Sequence, residues 1–384
     1  MIRVHPRLTF SLLSIAACLF LIQAAARFGF AKLLSRSALV TNSISAAQSA
    51  IDISPSDPEA HRTRAAILNR QQMPAEAVKS LESAASLRYR DDYLWIDLAN
   101  TREELGNSAG ALAALDQAVR WAPYYAHTHW QRGNLLLRMG RPVEAFDDLR
   151  KAAATNRSYL PNIIDLAWRY SRGDLQSTET LIEINDDDER NVLIRYLIAA
   201  KAFRAAFELS HRSDRHGALL NGGFEDPLVL NSTGFGWLVS PDQNKNRLAI
   251  DVSEKFEGGK SLQINLAGNW TPGTSLLSQI FIVESGTTYR VYFRVKTKDL
   301  VTGGPPLIVV TDANNNQLLG KSENLPTASS GWVTLNFDFT ALPTSQAAVI
   351  SLERNNCDSS PCPIFGTLWL DWFQIGQTKP AITR

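Results

Sequence analysis

The chain is poor in the residues that most often announce chemistry. Three cysteines in 384 residues exclude a disulfide-dense scaffold and a four-cysteine zinc site. Charge of one sign is missing too: 39 Lys and Arg stand against 38 Asp and Glu. A net charge of +1 gives no electrostatic reason to expect DNA or RNA as partner. None of the six histidines lies beyond residue 216, so a Ser-His-Asp or Cys-His site is excluded from the C-terminal part. No P-loop, dinucleotide fingerprint or HExxH occurs, and the glycine-rich stretch 302–306 is a strand-connecting turn with no helix pattern after it. Two carboxylates would serve a glycosidase, but nothing pairs a specific two. These absences point to a non-catalytic protein, and the length predicts two or three domains.

What is present is split. Residues 217–384 hold 16 of the 22 glycines and 10 of the 17 prolines. They carry 12 basic and 14 acidic residues, so neutrality does not come from two opposed halves. At the N-terminus, Arg3 and Arg7 precede residues 8–26, which carry no charge. As a helix those residues span about 28 Å, close to the ~30 Å of a bilayer core. Three readings are open: an uncleaved signal anchor; a signal peptide cleaved after Ala24 and Ala26; and a lipoprotein, from Ile15-Ala16-Ala17-Cys18. All three direct the chain to or across a membrane. Arg27, Lys32 and Arg36 follow the span and nearly balance the charges before it, so orientation is poorly specified.

An internal period of 34 residues sets the next segment. Residues 58–91, 92–125 and 126–159 fall in register. Small residues recur at Ala65, Ala99 and Gly133, and again at Ala77, Ala111 and Ala145. Leu81, Leu115 and Leu149 follow, then Ala84, Ala118 and Ala152, with Gly106 and Gly140 at the turns. The unit 92–125 adds Trp95, Leu98 and Pro123. This resembles the tetratricopeptide repeat (TPR), which implies paired helices stacked in a solenoid and a protein or peptide partner in its groove. Residues 39–54 are expected as a lone helix, Ala167 and Tyr170 open a fourth unit, 186–190 (DDDER) form a solvated loop, and a helix over about 188–211 caps the solenoid. Groove candidates are Arg62, Asn69, Tyr93, Ile96, Asn100, Glu103, His127, Trp130 and Asn134. The asparagines suit main-chain recognition of an extended peptide. His127 and His129 lie two apart and point away from each other on a helix, which rejects a metal site there.

From Leu219 short runs alternate apolar and polar residues. Strands are expected at 261–266, 276–283, 288–297, 306–311, 332–340, 347–353 and 367–375, giving an all-β sandwich or jelly roll. The ordered motifs NGGFED (221–226), Gly236-Trp237, EGGKSL (257–262), GTTYRVYFRVKT (286–297), Gly331-Trp332 and GTLWLDWFQI (366–375) resemble the galactose-binding-like jelly rolls of carbohydrate-binding modules. That resemblance implies sugar recognition and frequently a structural calcium, held by residues at the positions of Glu225 and Asp371, with backbone carbonyls near Gly259 and Lys260 helping. Tyr292, Trp332 and Trp372 are expected on the face away from the core, with Arg294 beside them and Trp270 in a loop; these five are the glycan candidates. Cys357 and Cys362 are placed to close a loop disulfide in an exported chain.

The whole reads as a multidomain chain: an N-terminal membrane or signal segment (1–38), an all-α TPR domain (39–215), an all-β jelly roll (216–378) and a tail (379–384). The expected role is a scaffold on the outer side of a bacterial cytoplasmic membrane, or a secreted protein if the span is cleaved. It would dock a protein through the repeats and a polysaccharide or oligosaccharide through the jelly roll. No cofactor beyond that calcium is expected. Chains of similar layout are associated with surface polysaccharide assembly or export. The alternative is a purely structural scaffold whose jelly roll binds no sugar.

Overall fold

The structure, a computed structural model, describes residues 6–210, 219–228, 234–240, 247–268 and 270–378, and for residues 6–13 and 247 the backbone only. The chain divides into two compact units, Met1–Glu183 and Ile184–Arg384. The boundary expected at 215/216 lies outside the described residues.

The first unit opens with α1 (Pro6–Thr41), one continuous helix of 36 residues. Among the described residues it is long and apolar enough to cross a membrane, with almost none of its apolar window buried. Ile15, Leu19, Phe20, Leu21 and Ile22 are exposed along it, whereas Ala31, Ser35 and Ala38 are buried. Those small residues let α1 pack on α2 (Ile44–Ile53) and α3 (Pro58–Arg70). Residues 39–41, expected in a separate helix, finish α1. Asn42, at φ +52°, turns the chain, and Ser43 caps α2 by accepting from the Ala46 N–H.

Three helix pairs follow: α3 with α4 (Pro74–Leu87), α5 (Asp92–Glu104) with α6 (Ser108–Trp121), and α7 (Ala126–Arg138) with α8 (Pro142–Thr155). Their starts fall at 34-residue intervals, and α9 (Leu160–Tyr170) begins a fourth pair with α10 (Leu175–Ile182). Pro58, Pro74 and Pro142 occupy first-turn positions, where a missing N–H costs nothing. Gly106 and Gly140 take φ of +74° and +72° at the turns. Gly133 marks the closest approach, since a Cβ there would meet Leu149 Cγ at 2.8 Å. This is the tetratricopeptide-repeat arrangement.

One repeated bond escaped the sequence reading. The ring N–H groups of His61, Trp95 and His129, one period apart, donate to the carbonyls of Pro55, Tyr89 and Pro123, six residues upstream of each. The bond ties the chain leading into each pair to that pair's first helix. His129 is buried, and its Nδ1 lies 2.9 Å from Asp148 Oδ1. Arg132 grips the same carboxylate with Nε at 2.6 Å and Nη2 at 2.8 Å.

The second unit begins with α11 (Asp187–Ala199) and α12 (Phe203–Ser210). The sequence reading made this one helix; the structure gives two, packed on each other. The run 186–190 is a helix start rather than a loop, with Asp186 Oδ1 accepting from the Glu189 N–H at 2.8 Å. α12 meets β4 (Leu277–Ile282), and Phe207 sits edge-on to Phe235.

Two five-stranded antiparallel sheets follow. One is ordered β1 (Leu238–Val239), β4, β9 (Ala347–Arg354), β6 (Pro306–Asp312), β7 (Leu318–Lys321). The other is ordered β2 (Arg247–Asp251), β3 (Ser261–Ala267), β10 (Ile364–Gln377), β5 (Thr288–Thr302), β8 (Val333–Thr340). Their inner faces share one core, which includes Phe281, Phe293, Ile308, Phe339, Ile350 and Leu370. This is the jelly-roll sandwich, with β1, β2 and β7 added to the expected strands.

At one end of the sandwich Cys357 and Cys362 are disulfide-bonded. Arg354, 2% exposed, points into that loop. Its guanidinium donates to the carbonyls of Gly304 (3.2 Å), Trp270 (2.7 Å) and Cys362 (3.0 Å) and to Thr302 Oγ1 (3.0 Å).

Candidate functional site

Two surfaces carry the candidate residues, one in each unit. In the first, several residues assigned to the groove bind side chains of the neighbouring repeat. Arg62 Nε donates to Asp97 Oδ2 at 2.8 Å, and Asn69 Nδ2 to Thr101 Oγ1 at 2.8 Å. The Tyr93 and Tyr125 hydroxyls are 2.5 Å apart, and Arg138 grips Glu103 through two bonds. Each of these contacts joins the first helix of one pair to the next pair, so they act as rungs between repeats. Because the two phenols share that bond, and burial adds to it, the Tyr125 hydroxyl is pushed up to about 12.

His127 lies among Tyr93, Tyr125 and Gln131, and Trp130 packs on Tyr159 with centroids 5.0 Å apart. Asn134 turns inward to the Trp130 carbonyl. Asn100 is exposed, while Ile96 is buried in the core and drops out of the groove set. Tyr125 and Tyr159 were missed because both lie in or beside the links between helices, where the repeat template assigns no position.

In the second unit the outer face of the β2-β3-β10-β5-β8 sheet gathers the glycan candidates. Alternation along β5 buries Tyr289, Val291, Phe293 and Val295 and turns Arg290, Tyr292, Arg294 and Lys296 outward. Phe256, in the β2–β3 loop, lies 6.2 Å from both Trp332 and Trp372 between ring centroids. The Arg294 guanidinium sits 4.0 Å above the Phe256 ring and 5.1 Å from that of Trp372. Tyr292 stands next along β5, opposite Asn336 and Gln374. Trp270 lies in the β3–β4 loop as expected, but it is 1% exposed in the core, its Nε1 donating to the Thr274 carbonyl, so it drops out of the glycan set.

β10 does not alternate along its whole length. A bulge between Asp371 and Gln374 interrupts the alternation. Leu368, Leu370 and Phe373 therefore face the core, and Trp369 lies on the other face. There Trp369 Nε1 donates to Asp251 Oδ2 at 2.9 Å, and Lys296 sits 5.6 Å over its ring. Trp372 takes φ +55°, a conformation that bulky residues seldom adopt, with its N–H held by Asp371 Oδ1 at 2.7 Å. Asp371 Oδ2 accepts from the Phe256 and Glu257 N–H groups. One fully buried carboxylate thus positions two of the three clustered aromatics.

Burial pushes the Asp371 carboxyl up; the three N–H bonds oppose this and the neighbouring Glu225 charge adds to it. These two carboxylates are the expected calcium ligands. Calcium takes six to eight oxygens. Here the Gly259 and Lys260 N–H groups donate to Glu225 Oε1, and the Lys260 ammonium is bonded to the Glu225 carbonyl. Among the described residues no three acidic, histidine or cysteine side chains gather at a metal position. The donors around the pair are N–H groups and an ammonium, so this arrangement does not fit a calcium ion. The melting temperature of the full chain is therefore expected to be equal in calcium and in chelator. A rise of several degrees with calcium would show that the loop rearranges to bind it.

No family model matches the sequence, and no curated protein matches it. The chain is similar to solved structures. One is described as a functional characterisation of Pseudomonas aeruginosa PilF, at 17% identity over 49% of this chain and 90% of that one, TM-score 0.36. Another is YrrB, described as a TPR protein with an unusual peptide-binding site, at 18% identity over 46% and 90%, TM-score 0.34. A third is described as CBM4 structure and function, at 16% identity over 42% and 99%, TM-score 0.31. These are likenesses of fold alone.

Proposed function

We propose that this chain is a non-catalytic, membrane-anchored adaptor whose repeats dock a protein segment and whose jelly roll binds a glycan. The observation that carries the glycan reading is the cluster of Phe256, Trp332 and Trp372 around Arg294, beside Tyr292, on an open sheet face. A pyranose ring has an apolar C–H face that packs on a flat aromatic ring, while its hydroxyls take hydrogen bonds from cations and amides. Arg294, Gln374 and Asn336 supply such groups along the same face. The exposed apolar length of α1 supports anchoring. Its helix runs unbroken through Arg27 into the packed residues Ala31 and Ser35. Assembly or export of a surface polysaccharide is the process we assign to this arrangement, outside the cytoplasmic membrane.

A glycan array probed with the full chain tests the reading. Binding of at least one glycan is expected. Trp372→Ala or Trp332→Ala should each weaken it by about 1–3 kcal/mol, the scale of a lost aromatic anchor. No bound glycan, or binding indifferent to both substitutions, would sink it. One observation favours a second reading: Arg294 already covers the Phe256 face, as in a protein-docking hot spot. On that reading the same substitutions release a protein partner and the array stays blank.

A further inference from the structure

The Cys357–Cys362 bridge shares its end of the sandwich with a buried cation. The two cysteines are five positions apart. Closing so short a loop removes little chain entropy, so the bridge does little to hold the domain together. Arg354 already ties that end, through Gly304, Trp270, Thr302 and the Cys362 carbonyl. Residues 358–361, between the cysteines, are exposed, and both cysteines are only partly covered.

Arg354 Nη2 lies 2.9 Å from Cys362 Sγ and 3.6 Å from Cys357 Sγ. A disulfide sulfur is a weak acceptor. The guanidinium, 2% exposed, thus aims an N–H at a poor partner, and no carboxylate among the described residues neutralises it. Opening the bridge changes both conditions. A thiolate at Cys362 accepts that N–H strongly and supplies a counter-ion where water screens little. An arginine beside a thiol favours the thiolate. What stabilises the thiolate stabilises the reduced pair, and so makes the disulfide easier to reduce.

We infer that Cys357–Cys362 is a thiol-exchange site, with Cys357 as the sulfur attacked and Cys362 as the leaving thiolate held by Arg354. The partner is a protein dithiol. One of its thiolates bonds to Cys357 Sγ, the Cys357–Cys362 bond breaks, and the bonding pair passes to Cys362 Sγ. The donor's second thiolate then attacks the donor sulfur of that mixed disulfide, and Cys357 leaves and takes a proton. The dithiol ends as a disulfide. The chain has gained two electrons and one proton, and the second proton goes to solvent. Reduction frees residues 355–363, which join β9 to β10, while the bonds of Arg354 to Gly304, Trp270 and Thr302 stay in place. The site depends neither on the anchor nor on a glycan.

The test equilibrates the full chain, without denaturant, in mixtures of reduced and oxidised dithiothreitol. Acid quench, alkylation and peptide mass mapping then read each cysteine and separate Cys18. Between about pH 6 and 7.5 the thiols of the reagent stay protonated. With Cys362 a thiolate, the ratio of reduced to oxidised chain should therefore rise about tenfold per pH unit, because one proton is released for each bridge opened. An ordinary pair of thiols would give a ratio independent of pH over that range. Arg354→Met should flatten the dependence and lower the ratio about tenfold at pH 7.5; where that variant does not fold, the pH dependence of the wild type decides alone. Brief exposure to glutathione, trapped by acid, should leave the adduct on Cys357, since the better leaving group is the sulfur beside Arg354. A ratio flat with pH, a bridge that dithiothreitol opens only in denaturant, or an adduct on Cys362 alone would each overturn the proposal.

Discussion

Arg354→Met will cost the second unit about 3–4 kcal/mol, read from urea unfolding of the full chain by near-ultraviolet circular dichroism under non-reducing conditions. The guanidinium is buried with no carboxylate partner among the described residues, and burial pushes its pKa below the ordinary arginine value. What keeps it there is a set of neutral acceptors. Three carbonyls and a threonine hydroxyl meet it from three separate segments: 302–304, Trp270 and the disulfide loop. Methionine fills similar space but leaves those acceptors unpaired in a site that water reaches poorly. Arg354→Lys should rescue little, because three donors on one nitrogen cannot span a planar fork of acceptors. The disulfide stays closed in both variants, so loss of the cross-link does not enter the comparison. Unfolding within about 1 kcal/mol of wild type would show that the three segments hold without the arginine.

The helical half was legible because its determinants are local and periodic. Small residues such as Ala99 and Gly133 stand where helices touch, and Gly106 and Gly140 stand where the chain must take positive φ. Helix starts therefore fall in the register the sequence shows. The β face was legible only in part. Period-two alternation puts Tyr292 and Arg294 on the outer face of β5, whose ladder with β8 is unbroken there. Along β10 the alternation breaks at the bulge after Asp371, which puts Leu370 and Phe373 on the same face although they are three residues apart. Phe256 was missed although it precedes a quoted motif. What brings it beside two tryptophans is the hydrogen bond from its own N–H to Asp371, a contact 115 residues away. Trp270 shows the opposite failure. A tryptophan between glycine, asparagine and proline reads as a loop residue, and only the closed core shows that its ring is covered. The groove residues were found but their bonds were not. Arg62 with Asp97 and Glu103 with Arg138 pair one period plus one residue apart, a spacing set by how the repeats stack.

The acid limit of the repeat array should rest on Asp148. Burial pushes its carboxyl up, but hydrogen bonds from Arg132 and His129 pull it down further, leaving it below the ordinary carboxylate range. A carboxyl with a depressed pKa in the folded state binds fewer protons there than in the unfolded chain. Its contribution is therefore fully present above about pH 4 and drains away as pH falls through the folded value. Asp148→Asn should cost the first unit about 3–5 kcal/mol at neutral pH, since it leaves a buried histidine and an arginine without their shared anion. Arg132 would keep its bond to Asp116, so the loss falls mainly on the α7–α8 contact. The variant's unfolding free energy should also change less than that of wild type between pH 5 and pH 2. The other carboxylates titrate in both proteins, so the diagnostic quantity is the difference between the two curves, which should shrink as the pH falls. Parallel curves would show that Asp148 is not the group through which acid opens the array.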